Sequence, residues 1–203
     1  MKKSIILASG LAAASASFAQ ISLNTSVTGI DGDNAGILNI TQDLDLGTFS
    51  GNEFILESTT VVNPGVTLTI PAGTIMRGQP RSADDTVAPG TLLVSRGGAI
   101  NAVGTATSPI IFTTAANDTR GRYTSGDTFL DADPVNNPLP PLSGSEANVG
   151  LWGAVTLLGY APTNRGTSDT GVAGEAFIEG FGLTTEQVTY GGSLPNDSSG
   201  QIK

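Results

Sequence analysis

Carboxylates and a few arginines are what this chain offers for chemistry. It has no His and no Cys, which removes Ser-His-Asp and Cys-His catalysis, His-ligated zinc and the commonest general base. Past the first residues the single lysine is Lys203, and no GxxxxGK[ST] phosphate loop is present. Two carboxyls held about 5 to 9.5 Å apart can cleave a glycosidic bond, and the adjacent pair Asp84-Asp85 is the plainest candidate. Its ordinary reading is a solvated turn. A lyase would instead use aspartates around a Ca²⁺ with an arginine or lysine as base, for which Arg77, Arg120 and Arg122 are nominal candidates. Clustered hard oxygens suit Ca²⁺, and two stretches supply them: Asp31-Gly32-Asp33-Asn34, and Asp127 with Asp131 and Asp133. Neither fits the D-x-[DN]-x-[DN]-G-x₅-E loop, since Ala35 and Gln42 stand where ligands belong. Asx turns with exposed charge are the competing reading for both. Trp152, the only tryptophan, could stack on a sugar ring, although packing at a strand start is the simpler expectation. Asn101 is expected in a turn or a ladder of polar side chains. No residue is assigned a catalytic role, and no cofactor is expected, Ca²⁺ at the acidic clusters being the one candidate.

The elements that must position these groups begin after residue 19. Met1-Lys2-Lys3, the apolar run Ile5 to Leu11 and the small residues up to Ala19 have the layout of a secretory signal peptide, too short in its apolar part to span a membrane. Nothing later approaches a span. The chain has 9 Lys+Arg against 18 Asp+Glu, and loss of Lys2 and Lys3 leaves 7 against 18, a net charge of −11. Such a surface repels nucleic acid and anionic lipid. Without Cys, the fold must be held by its core.

With 27 Gly and 11 Pro among abundant Thr, Val, Ile and Asn, the composition favours strands and turns over helices. In Val66-Thr67-Leu68-Thr69-Ile70 the apolar side chains alternate with threonines, as a half-buried strand requires. Further short runs are Thr74 to Met76, Thr91 to Ser95, Ala99 to Asn101, Ile110 to Thr113 and Ala154 to Leu158. Hairpin turns are scarce, Asp31-Gly32 being the only Asp-Gly pair. A loose unit recurs: an alternating strand, a Gly-Thr corner, then a second apolar strand. This points to an all-β right-handed parallel β-helix, a solenoid whose coils need neighbours to complete a core. A β-sandwich is the alternative.

Four stretches, Val62 to Gly78, Thr91 to Thr114, Gly150 to Asn164 and Val188 to Lys203, resemble exported or cell-surface right-handed parallel β-helix proteins of Gram-negative bacteria, of the Bacteroidetes type and mostly without assigned activity. Ala154 stands where those proteins often repeat the glycine of Gly153, a change expected to be trivial. The resemblance also implies further coils after Lys203, so the chain reads as an N-terminal fragment with an incomplete C-terminal end. Pectin hydrolases share a His-Gly and an Arg-Ile-Lys element. Here His is missing, and Gln201-Ile202-Lys203 has Gln in place of Arg.

The expected organisation is a signal peptide over 1–19, an N-terminal cap or linker over 20–51, and β-helix coils over 52–203 with loop insertions at 81–90 and 117–148. Export, the missing catalytic residues and the resemblance together imply an extracellular or cell-surface protein, periplasmic in transit, that displays loops toward a glycan or a cell-surface partner without catalysis. A polysaccharide lyase or glycoside hydrolase of the β-helix type is the alternative. Two or more carboxylates with an arginine on one exposed face of the coils would favour the enzyme.

Overall fold

The computed structural model describes residues 20–33, 36–80, 88–115, 122–123, 129–130, 152–167, 169–181, 183 and 185–203. The expected signal peptide and most of both expected insertions, with Asp84, Asp85, Arg120, Asp127, Asp131 and Asp133, lie outside these residues.

Twelve short strands wind into four coils of three. The first coil is β1 (Ile21–Leu23), β3 (Leu38–Ile40) and β4 (Leu44–Asp45), with β2 (Ile30–Gly32) inserted between β1 and β3. The second is β5 (Glu53–Leu56), β6 (Thr59–Val62) and β7 (Thr67–Ile70). The third is β8 (Ile75–Gly78), β9 (Thr91–Val94) and β10 (Ala99–Ala102). The fourth is β11 (Ile111–Thr114), β14 (Ala154–Leu157) and β17 (Gly200–Ile202). Between β11 and β14 lies a two-stranded antiparallel pair, β12 (Arg122–Tyr123) with β13 (Phe129–Leu130).

Equivalent strands of successive coils pair in parallel, giving three sheets in the orders β1-β5-β8-β11, β3-β6-β9-β14 and β4-β7-β10-β17. Each strand reaches the next one in its own sheet through the other two sheets, and such crossovers between parallel strands are right-handed. The fold is a right-handed parallel β-helix. A sandwich would pair neighbouring strands by antiparallel hairpins, and every pair between coils is parallel.

Alternation supplies the interior. In β5, β7, β8 and β10 every second residue is buried, and the inward residues stack in columns such as Leu44-Leu68-Ile100 and Phe54-Met76-Phe112. Leu23, Ile40, Phe54, Leu56, Leu68, Leu92 and Ile100 are fully buried in one continuous core. Each such side chain contributes roughly 1.5–3 kcal/mol on removal from water. The outward residues of the third sheet form a polar ladder, Asp45-Thr69-Asn101-Gln201, in which Gln201 Nε2 donates to Asn101 Oδ1 at 3.0 Å. Asn101 thus takes the ladder position expected of it.

Residues 20–51 do more than precede the coils. They supply β1, β3 and β4 to the three sheets, while β2 runs antiparallel along β3 and covers the outer edge of that sheet. At the opposite end, the inward residues Leu157 and Ile202 of the fourth coil remain 44% and 46% exposed.

Strands β6 and β9 break the alternation, with all four residues of each buried. Their outward side chains, Val61 and Leu93, lie under the chain between β14 and β17. There β15 (Glu175–Phe177) and β16 (Thr189–Gly191) form an antiparallel pair, with the single turn α1 (Thr185–Val188) leading into β16. Ile178, Phe181, Leu183 and Tyr190 of this segment pack with Val61, Leu93 and Leu158 as a second, smaller core. This insertion, roughly 158–199, adds to those read from the sequence.

Ala154 departs from expectation. Its φ of 124° lies in the region that favours glycine, and it is the only non-glycine residue so placed among the described residues. Replacing glycine here therefore introduces backbone strain and is not a trivial change.

Candidate functional site: an aromatic groove beside the fourth coil

The groove arises where the insertion leaves and rejoins the coil. At its neck Gly191 N donates to Gly159 O at 2.8 Å, Leu194 N to Tyr160 O at 3.1 Å, Tyr160 N to Asp197 Oδ2 at 2.7 Å and Ser199 Oγ to Leu158 O at 2.9 Å. These bonds fix the segment after β14 against β16. Beside them opens a groove of about 620 Å³, lined by Thr156 to Gly159 at the end of β14, by Ala161 to Thr163, and by Phe177, Ile178, Glu179 and Tyr190 of the insertion. That volume falls within the roughly 300–1,000 Å³ of small-molecule sites.

Arg96, at the corner after β9, holds the groove wall in place. One guanidinium nitrogen donates to Glu175 Oε1 at 2.7 Å and to Gly191 O at 2.8 Å, and the group lies 4.7 Å from the centre of the Tyr160 ring. With both partners only 17% and 18% exposed, the ion pair is sheltered from screening and orders the β15–β16 pair. At the outer rim Arg165 pairs with Asp169 at 2.6 Å. The hydrogen bond and charge of Asp169 raise the Arg165 pKa above its ordinary value, with smaller contributions from Tyr190 and Glu179. Its charge persists across any ordinary pH. Glu179 itself is exposed at the groove lip.

A second cluster occupies the outward face of the first sheet. Glu53 Oε1 accepts from Arg77 Nε at 2.7 Å and from Gln20 Nε2 at 2.5 Å, while Glu57 accepts from Ser22 Oγ at 2.5 Å. Arg77 also donates toward Thr114 O at 3.4 Å. Arg77 thus stands with carboxylates on one coil face, but its guanidinium is tied to the nearer one.

The acidic candidates that can be placed tie together the β2–β3 pair. Asp33 Oδ1 accepts from Ile37 N at 2.9 Å, closing the β2–β3 connection, and Asp31 Oδ2 accepts from Thr41 Oγ1 at 3.1 Å. Among the described residues no three carboxylates come together as a metal site. Trp152 is half-buried and packs against the main core, with its ring over Gly78, where an added Cβ would collide with it. It does not line the groove. Arg122 lies in β12.

Sequence reasoning missed Phe177, Glu179 and Tyr190, which sit in short segments with no periodicity. The unbroken burial of Thr91-Leu92-Leu93-Val94 was the available signal, because a strand apolar on both faces must be covered on both. Glu53 could have been found from coil length: β5 and β8 start 22 residues apart, which sets Glu53 beside Ile75, two residues from Arg77.

Residues 38–137 match the family model described as a pectate-lyase like beta helix domain. No curated protein and no solved structure matches the chain. Among the described residues no helix is long and apolar enough to cross a membrane. Taken with the parallel three-sheet winding, the match makes this chain a parallel β-helix protein, similar over residues 38–137 to the pectate-lyase-like domain.

Proposed function

We propose that the protein is exported and works at the cell surface or outside the cell as a non-catalytic binding scaffold, with the groove beside the fourth coil receiving a glycan. The observation that carries this reading is the groove itself: an open, largely apolar cleft of about 620 Å³ with Phe177 and Tyr190 in one wall and a single charged group, Glu179, at its lip. Aromatic rings with a few polar groups suit the C–H faces and hydroxyls of sugars. Cleavage would need a second carboxyl across the ligand, and among the described residues the groove lining contains none. Binding of soluble oligosaccharides to the full chain, followed by calorimetry alongside an assay for new reducing ends or unsaturated products, tests the reading. Saturable binding lost in Tyr190→Ala, with no product formed, is the expected result. Turnover would overturn it.

A second reading, a polysaccharide lyase, is favoured by the Glu53–Arg77 pair on the outward face of the first sheet together with the pectate-lyase-like match. It requires Arg77 to exchange Glu53 for substrate. Turnover that vanishes in Arg77→Ala and survives Tyr190→Ala would establish it.

A further inference from the structure

We infer, building on the glycan-binding reading of the groove, that its ligand is an uncharged glycan and not a polyuronate. The charge around the cleft carries the argument. An acidic polysaccharide presents one carboxylate per residue, and proteins hold such groups with arginine or lysine in charge-assisted hydrogen bonds. Among the described residues the one charged lining group is Glu179, itself an anion. Among the described residues the two arginines of this region are already engaged: Arg96 with Glu175, the Gly191 carbonyl and the Tyr160 ring, and Arg165 with Asp169. To recruit Arg96, a uronate would have to break an ion pair of 2.7 Å that also fixes the groove wall. To recruit Arg165 it would have to displace Asp169, paired with it at 2.6 Å. The formal charge of the whole chain, −9, adds long-range repulsion.

An uncharged sugar meets none of these obstacles. Its C–H faces find the rings of Phe177 and Tyr190, and its hydroxyls find the Glu179 carboxylate and the Thr156 hydroxyl, which line the same cleft. A carboxylate is a strong acceptor for sugar hydroxyls. The groove therefore selects by charge as well as by shape, and its ligand differs from the anionic substrate that a pectate-lyase-like match brings to mind.

The test is calorimetric titration of the full chain with cellohexaose, xylohexaose and hexagalacturonate at about 0.05 and about 0.5 M NaCl, once with EDTA and once with Ca²⁺. A neutral hexasaccharide is expected to bind with an affinity that changes less than about twofold with salt, while hexagalacturonate does not bind in either series. Tyr190→Ala is expected to weaken neutral binding about tenfold. Because Tyr190 also packs on the second core, Glu179→Lys at an exposed position serves as the second variant; it should create hexagalacturonate binding that fades at high salt. Hexagalacturonate binding tighter than both neutral sugars, with or without Ca²⁺, overturns the inference while leaving a glycan groove in place. No binding of any probe, or neutral binding that both variants leave untouched, overturns the inference and the glycan reading together.

Discussion

Ala154→Gly should stabilise the protein, although glycine ordinarily weakens a strand. Ala154 opens β14 at φ 124° and its side chain is exposed, so the substitution removes little packing. A non-glycine residue held in such a region costs of order 1–3 kcal/mol, and glycine returns about 0.5–1 kcal/mol of that through its greater freedom in the unfolded chain. The net gain is roughly 1 kcal/mol, equivalent to about 2–4 °C in Tm for a domain of this size. Urea unfolding followed by the fluorescence of Trp152, two residues away and the only tryptophan, measures it directly. The control is Gly153→Ala: a Cβ there would fall on Thr91 Oγ1 and crowd Gly90 O, and overpacking of this kind costs about 1–3 kcal/mol. A neutral or lower midpoint for Ala154→Gly, with an unchanged slope, would refute the strained corner. Tolerance of Gly153→Ala would refute the close contact between β14 and β9.

Three other substitutions separate structural from binding roles. Ile100→Ala, at a fully buried position of the Leu44-Leu68-Ile100 column, should cost about 2–5 kcal/mol in equilibrium unfolding; a loss under about 1 kcal/mol would mean that the column does not form. Trp152→Ala should lower stability by about 2–4 kcal/mol through lost packing over Gly78, while the folded fraction, measured by titration below the melting temperature, keeps its oligosaccharide affinity. Arg96→Ala should cost about 1–3 kcal/mol and speed amide exchange at Tyr190 and Gly191 more than in β7 or β10, because it releases the β15–β16 wall and leaves the coils intact; uniform acceleration across the coils would show that the insertion is not a separate unit.

Legibility of this fold followed the alternation of its strands. Val66 to Ile70 and Ala99 to Ala102 have one solvated face, so period two survives in the sequence and their edges were readable to within a residue or two. The first coil was harder to see because β3 and β4 are three and two residues long and separated by Asp-, Asn- and Gly-rich turns. Too few residues remain to display a period. Thr59-Thr60-Val61-Val62 and Thr91-Leu92-Leu93-Val94 lose the alternation for a physical reason, since the insertion after β14 buries their outward faces. The groove was invisible for the same reason that it exists: Phe177 and Tyr190 are brought together by an antiparallel pair closed over a sheet whose strands lie about a hundred residues earlier. Arg77 was noticed as a possible base, but only the register between coils could join it to Glu53. Ala154 was recognised as a glycine position, while the conformation that makes glycine preferable there depends on backbone geometry that residue types alone do not state.

The antiparallel strand β2 has a consequence for assembly. Open-ended stacking of one molecule on the next requires two different, mutually complementary ends. In this molecule the first-coil end of one sheet is occupied by a strand running the wrong way, held by the Asp33 turn. A neighbour bringing three parallel-running strands meets a mismatched direction in one sheet of the three. Addition of a parallel strand at the first-coil end is therefore obstructed in that sheet. The single reversed strand blunts an edge that the repeating architecture would otherwise leave open.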